Sequence, residues 1–244
     1  LQALLERAHG NGVRSVTVPV FGCQTSVTSS DVGACEVASP EQSFRILEKA
    51  IALGMTTALL PIVVTPGWDW RGLFDPKDVP GWFATYQAWL IRLANRAAAL
   101  GVSELIPASE FKGLYRHTDR WRALLRTLRS HFKGPLIVTA NWDHPELGFW
   151  DESDAIGLSA YFPLVKKPGR KVVLGATQVE LDQAWVRIRD SLLALSKKWK
   201  RPLYLTEVGY HTMASAAWSP WGWTPGERSD PELQARCFEA LRKA

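Results

Sequence analysis

Several signatures of other enzyme classes are missing from this chain of 244 residues. Cysteine is scarce: there are 3, none at the paired spacing of a zinc site. No apolar run approaches the roughly 18–20 residues needed to cross a bilayer, so no membrane span is expected. Neither GxGxxG nor a P-loop follows any apolar run, which argues against a nucleotide- or phosphate-using α/β enzyme. There is no GxSxG elbow and no cysteine–histidine pair at a strand end for acyl transfer. Asp143-His144 lacks HExxH spacing, so no metal and no other cofactor is expected. The first residue is Leu1, no signal peptide is visible, and both ends (LQALLERAHG and Arg236–Ala244) have helical patterns. The chain therefore reads as a piece of a longer protein. Net charge is +5 with a pI near 9.2, but the cations are scattered. Their densest cluster, Lys197–Arg201, suits a helix C-terminus, where cations complement the macrodipole. No nucleic-acid partner is expected.

What is abundant is order. Helical spacing of apolar residues runs through Phe83, Tyr86, Leu90, Leu93, Ala97 and Leu100. It recurs through Trp121, Leu124, Leu125, Leu128 and Phe132, and again through Leu181, Trp185, Ile188, Leu192, Leu195 and Trp199. An earlier helix is punctuated by Ser39 as N-cap, Pro40 in the first turn, Gln42 completing a capping box and Gly54 at the end. A last helix opens at Asp230-Pro231. Between these lie six short apolar runs: Arg14–Val20, Thr57–Val64, Ser103–Ala108, Leu136–Ala140, Ala155–Tyr161 and Leu203–Thr206. Several are apolar on both faces, as buried parallel strands are. Asn141–Asp154 shows only a short connection without a convincing helix. Residues 1–244 read as one α/β domain with a parallel sheet and helices outside it; a doubly wound open sheet is the competing architecture.

The loops are asymmetric. Those after strands (Phe21–Ser39, Thr65–Pro80, Tyr210–Ser229) are long, and the approaches to strands are tight. Function-bearing loops collect at the strand C-terminal end of such folds. Two glutamates stand there: Glu110 after SELIPAS and Glu207 after PLYLT. A strand-end carboxylate needs partners or water. A structural role would pair Glu110 with Lys112 or Arg116, and Glu207 with Arg71 or His211. A functional role would make them the carboxylate pair of a glycosidase.

The chain has 12 tryptophans. Trp82, Trp89, Trp121, Trp185 and Trp199 fall on helices and read as core. Trp68, Trp70, Trp142, Trp150, Trp218, Trp221 and Trp223 fall in strand-following loops. Aromatic loops at one end suggest an apolar platform, and flat indoles suit sugar rings; an aromatic plug is the plainer alternative. Gln24, Arg71, Asn141, Asp143, His144, Tyr161 and His211 are the polar residues nearby. Cys23 and Cys35 share a Ser/Thr/Gly-rich loop, where they either form a disulfide or remain free thiols; Cys237 reads as a packed thiol.

These residues resemble glycoside hydrolase family 113, a clan A retaining family of (β/α)8 barrels that includes β-1,4-mannanases. The similarity runs over nearly the whole chain. It is carried by Trp70-Arg71-Gly72, Trp82-Phe83 through Tyr86, Ser109-Glu110, Trp121-Arg122 with Arg129, Thr139-Ala140-Asn141-Trp142, Asp154 through Ile156-Gly157-Leu158-Ser159-Ala160-Tyr161-Phe162-Pro163-Leu164, and Thr206-Glu207-Val208-Gly209-Tyr210. Ser109 stands where the family often has Asn.

The resemblance implies a TIM-barrel-type fold whose first visible strand is barrel strand two, without strands one and eight. The two open edges of such a piece predict poor behaviour in isolation. It places Glu110 after strand four as acid/base and Glu207 after strand seven as nucleophile. Their carboxyls are expected about 5–5.5 Å apart for double displacement, with Glu110 protonated in the first step. Tyr161 is expected to hydrogen-bond Glu207, and Arg71 to keep Glu207 ionised. Trp70 and Trp142 are expected as platforms, and Asn141, Tyr210 and Trp221 as further substrate contacts. The implied partner is an oligo- or polysaccharide of β-1,4-mannan type, acted on by a monomer that is secreted or periplasmic. The alternative is a non-catalytic glycan-binding barrel or pseudoenzyme.

Overall fold

The computed structural model describes residues 2–35, 39–167, 176–222 and 225–244. The chain divides into two compact units. The first comprises Leu1–Ala140 and Glu146–Gly157, the second Asn141–Pro145 and Leu158–Ala244.

In the first unit, helix α1 (Gln2–Gly10) precedes strand β1 (Ser15–Cys23) and a two-residue strand β2 (Gly33–Ala34). Then come α2 (Pro40–Ala52), β3 (Thr56–Val64), α3 (Val79–Leu100), β4 (Glu104–Ser109), α4 (Thr118–His131) and β5 (Leu136–Asn141). Strand β6 (Ala155–Ser159) begins in this unit, after a single 3₁₀ turn at Trp150–Glu152. The sheet order runs β2-β1-β3-β4-β5. β1/β3, β3/β4 and β4/β5 are parallel, while β2 is a short antiparallel flap on the end of β1. That flap lies within a loop too rich in Ser, Thr and Gly to carry strand periodicity. All six residues of β5 are buried, the expected state of a strand covered on both faces.

Prolines shape the sheet where it matters. Proline has no N–H to donate to a ladder. The β4/β5 register shifts between Leu105 and Ala108, around Pro107, whose carbonyl instead accepts the Tyr86 hydroxyl at 2.8 Å. A bulge re-aims the strand that carries it, and this one falls three residues before Glu110.

Helix caps follow the sequence with one correction. Ser39 caps α2 by accepting from the Glu41 N–H at 3.2 Å, one residue short of the position that a capping box with Gln42 requires. Asp78 caps α3 through Gly81 N–H at 3.0 Å. Gly101, at φ 82, closes it in the left-handed region that glycine adopts without strain. The core of this unit is aromatic: Trp82 stacks on Tyr86 with centroids 4.6 Å apart, and Phe111 and Trp121 pack against them. Trp150, expected in an aromatic loop, is fully buried.

The second unit holds the end of β6, α5 (Gln178–Trp199), β7 (Leu203–Glu207) and α6 (Pro231–Lys243). Thr177 and Glu180 form a reciprocal capping box on α5, and Asp230 caps α6 through Leu233 N–H at 3.0 Å. Leu181, Trp185, Tyr210, Leu233 and Cys237 form its core. Burial pushes the Cys237 thiol up to about 12, consistent with a packed, inert group. Among the described residues no helix is long and apolar enough to cross a membrane.

Candidate active site

Glu110 sits at the end of β4 with φ 58, left-handed backbone that a glutamate adopts only under constraint. Several contacts impose it. The Glu110 N–H donates to Thr139 O at 3.1 Å, and the Tyr115 hydroxyl donates to the same carbonyl at 2.6 Å. Burial raises the Tyr115 phenol far above its ordinary range, so it remains a donor. The Glu110 residue is 9% exposed. Its Oε2 accepts from Trp70 Nε1 at 3.0 Å and lies 3.0 Å from Arg71 Nη2.

Those two donors are fixed in turn. Arg71 donates through Nε to Ser109 O at 2.7 Å and through Nη2 to Ser109 Oγ at 3.3 Å. Ser109, the departure from the family pattern, is thus an anchor for the arginine. Trp70 lies flat over Gly72, where a Cβ would stand 2.4 Å from two ring carbons. The turn ahead of them is closed by Thr65, whose hydroxyl donates to Asp69 Oδ2 at 2.7 Å and accepts the Asp69 N–H at 3.0 Å. Arg71 was expected beside Glu207; within its own unit it forms an ion pair with Glu110. Arg116, the partner a structural role would give Glu110, pairs with Asp75 at 2.5 Å.

Glu207 ends β7 in the second unit. Its carbonyl accepts the Ala160 N–H at 2.7 Å. Its Oε2 accepts the Tyr161 hydroxyl at 3.3 Å, the partner expected from β6. A Cβ at Gly209 would stand 3.0 Å from Tyr161 Cε1, so glycine there leaves room for the ring. His211 is engaged in its own loop: Nδ1 accepts from the Met213 N–H at 3.2 Å, which leaves Nε2 as donor to Ser219 O at 3.0 Å.

The expected substrate contacts separate into two groups. Trp142 stacks on Trp221 with centroids 5.1 Å apart and planes 19° apart, and meets Phe162 edge-on. Trp221 is 54% exposed, so the stack offers an indole to solvent. Tyr210, by contrast, is 2% exposed and turned into the core, edge-on to Phe238. Burial raises its phenol well above the ordinary range. Its ring packs the unit and is not offered to a sugar. Asn141 is buried at the end of β5, and Asp143 is exposed. Gln24 is structural, holding Trp82 Nε1 at 2.9 Å. Trp68 is 62% exposed and packs edge-on against Phe21. Trp223 lies outside the described residues. Cys23 and Cys35 are disulfide-bonded, with Cα atoms 4.9 Å apart. No group of three or more His, Cys, Asp or Glu suited to a metal occurs among the described residues.

Sequence reasoning named Tyr161 as the donor to Glu207, but it assigned Trp70 only a platform role. The signal for the second role was present: Trp-Arg-Gly places a donor, a cation and a side-chain-free seat for the indole in three consecutive residues. Tyr115 went unnamed because no spacing ties it to the carbonyl it reaches.

The profile of Glycoside Hydrolase Family 113 matches residues 2–244. No curated relative matches by sequence. Among solved structures, the chain is similar to the family 113 β-mannanase AaManA from Alicyclobacillus acidocaldarius in complex with ManMIm. The TM-score is 0.85 at 20% identity, covering 100% of this chain and 76% of that one. A second family 113 β-1,4-mannanase gives 0.82 at 20% identity, covering 98% of this chain and 76% of that one. A fungal β-1,4-galactanase gives 0.62 at 12% identity, covering 98% of this chain and 75% of that one. At these identities the likeness shows the fold, which is α/β with six parallel strands of the TIM-barrel type.

Proposed function

The chain belongs to glycoside hydrolase family 113, and on that premise we propose that it cleaves β-1,4-mannan-like polysaccharide by double displacement, with Glu207 as nucleophile and Glu110 as acid/base. One observation carries the reading. Each strand-terminal glutamate is held on Oε2 by an aromatic donor, Trp70 on Glu110 and Tyr161 on Glu207. Fixed carboxylates at two strand ends are what in-line attack and proton transfer require.

In the first step Glu207 attacks the anomeric carbon while Glu110 gives its proton to the departing glycosidic oxygen. The carboxylate so formed on Glu110 already faces Arg71 Nη2 and Trp70 Nε1. Charge develops against donors that need not reorganise. In the second step Glu110 takes a proton from water, which attacks the glycosyl-enzyme and releases Glu207 with net retention. Tyr161 orients Glu207 and is a positioning residue in this scheme. The Trp142–Trp221 stack is the sugar platform. Secretion or periplasmic residence fits a polymeric substrate, and the Cys23–Cys35 disulfide supports it, because such bonds persist in oxidising compartments.

The test is ¹H NMR of manno-oligosaccharide hydrolysis. The first-formed product should carry the β-anomer, and Glu207→Ala should release no product. First formation of the α-anomer would refute double displacement. A chain that binds mannohexaose and releases no reducing sugar would be a glycan-binding barrel instead.

A further inference from the structure

The second unit carries a cleft of about 580 Å³ lined by Pro163–Lys167, Glu180, Gln183, Arg187 and Trp218, with Glu207 not among the lining residues. That volume lies within the range of small-ligand sites, about 300–1,000 Å³. Its walls are the segment that follows β6, the first turns of α5 and one residue of the loop after β7. Gln183 and Arg187 are four residues apart on α5 and so share a face.

The charge of this cleft is unbalanced. Lys166, Lys167 and Arg187 are exposed and make no ion pair among the described residues. The single carboxylate, Glu180, is turned to the helix cap, where it accepts from Thr177 N and Thr177 Oγ1, each at 2.8 Å. Some exposed arginines elsewhere are neutralised, Arg96 by Glu41, Arg126 by Glu152 and Arg242 by Glu239, whereas Arg7, Arg14 and Arg120 make no ion pair among the described residues. The aromatic wall is equally unspent. Trp218 is half-buried, with no ring partner and no hydrogen bond to its indole N–H among the described residues. A flat apolar face beside three unpaired cations, one of them a guanidinium suited to bidentate carboxylate binding, is complementary to a sugar ring that bears a carboxylate.

We propose that this cleft is a binding site for an acidic saccharide, a carboxylate-bearing hexose within an oligosaccharide. The hexose stacks on Trp218, and its carboxylate is held by Arg187 with Lys166 or Lys167. The ligand class rests on the glycan reading above; the charge and geometry do not. The residues come from the segment after β6, from α5 and from the loop after β7, and an acidic substituent on a polysaccharide would be held there by groups that the cleavage scheme does not use.

The experiment measures binding of β-1,4-linked hexaglucuronate and of mannohexaose by calorimetry, with the full chain carrying Glu207→Ala to stop turnover. Hexaglucuronate should bind at least about fivefold more tightly at low salt, the return expected from two solvent-exposed ion pairs, and the margin should shrink as salt rises. Lys167→Glu with Arg187→Glu should erase the preference, and Trp218→Ala should weaken hexaglucuronate binding. In otherwise native protein the charge reversal should leave mannohexaose hydrolysis unchanged, which also reports correct folding. Equal affinity for the two oligomers would overturn the proposal. So would a preference that survives the charge reversal, or displacement of hexaglucuronate by an equal concentration of sulfate. A native chain that retains the acidic preference and fails to hydrolyse mannan would refute the mannanase reading and leave the cleft standing.

Discussion

Gly72→Ala is the sharpest probe of how Glu110 is held. The new Cβ would stand 2.4 Å from Trp70 Cη2 and Cζ2 and 2.6 Å from Cζ3. Carbon atoms rest at about 3.5–4.0 Å, so the indole must move by roughly 1 Å. The backbone beneath has little freedom to yield, because Gly72 O accepts the Gly113 N–H at 3.0 Å. A shift of that size opens the Trp70 Nε1–Glu110 Oε2 bond from 3.0 Å to about 4 Å, beyond hydrogen-bonding range. A hydrogen bond to a charged group contributes about 1.5–3 kcal/mol, and each 1.4 kcal/mol is tenfold in rate. The expected loss in kcat/KM is therefore about 10–100-fold on natural oligosaccharides. The assay compares mannohexaose with a dinitrophenyl β-mannoside, whose leaving group needs no proton. The loss should be confined to the natural substrate, since the defect lies in proton transfer. Trp70→Phe, which keeps the ring and removes the donor, should behave alike. A folded Gly72→Ala protein with full activity on mannohexaose would refute the reasoning, and so would an equal loss on both substrates.

Other expectations follow from the same contacts. In Glu110→Ala, azide should restore turnover of the dinitrophenyl substrate and yield a β-glycosyl azide, detectable by mass spectrometry; no rescue would remove Glu110 from the acid/base role. Tyr161→Phe removes the 3.3 Å donor to Glu207 Oε2 and should lower kcat by about tenfold with little change in KM, as loss of a roughly 1–1.5 kcal/mol bond predicts. Trp221→Ala exposes the Trp142 face now covered at 5.1 Å; it should raise KM for long oligomers while kcat at saturation holds. Reduction of Cys23–Cys35, which spans 12 residues, should destabilise by about 3 kcal/mol and lower Tm by roughly 6–12 °C in calorimetry.

The order of elements was legible because each strand and helix carries its own periodicity and stop signals. The two glutamates were legible because a charge at the end of an apolar strand is conspicuous. Tyr161 could be matched to Glu207 through the family resemblance, which aligned both residues with the ends of strands. The pairing of Arg71 with Glu110 was not legible, because it depends on a bulge at Pro107 that turns the end of β4, and periodicity carries no information on register. Tyr210 misled for a related reason. It stands only three residues after Glu207, and only the packing of Trp185, Leu233 and Cys237 reveals that its ring belongs to the core. The two-residue β2 is too short to leave any pattern.

The backbone at Glu110 carries one more consequence. A left-handed conformation disfavours most L-residues by roughly 1–2 kcal/mol and is tolerated best by glycine and asparagine. Glu110→Asn would relieve that strain, but it would also leave the largely buried Arg71 guanidinium, 3.0 Å from Glu110 Oε2, without its carboxylate, while supplying no proton for the chemistry. The melting temperature of Glu110→Asn therefore weighs the backbone strain at this position against the ion pair that the carboxylate completes, and a lower value than the native protein's is expected. The strain is then held in place by the same guanidinium that would receive the charge formed during cleavage, so fold and proposed chemistry constrain this residue in the same direction.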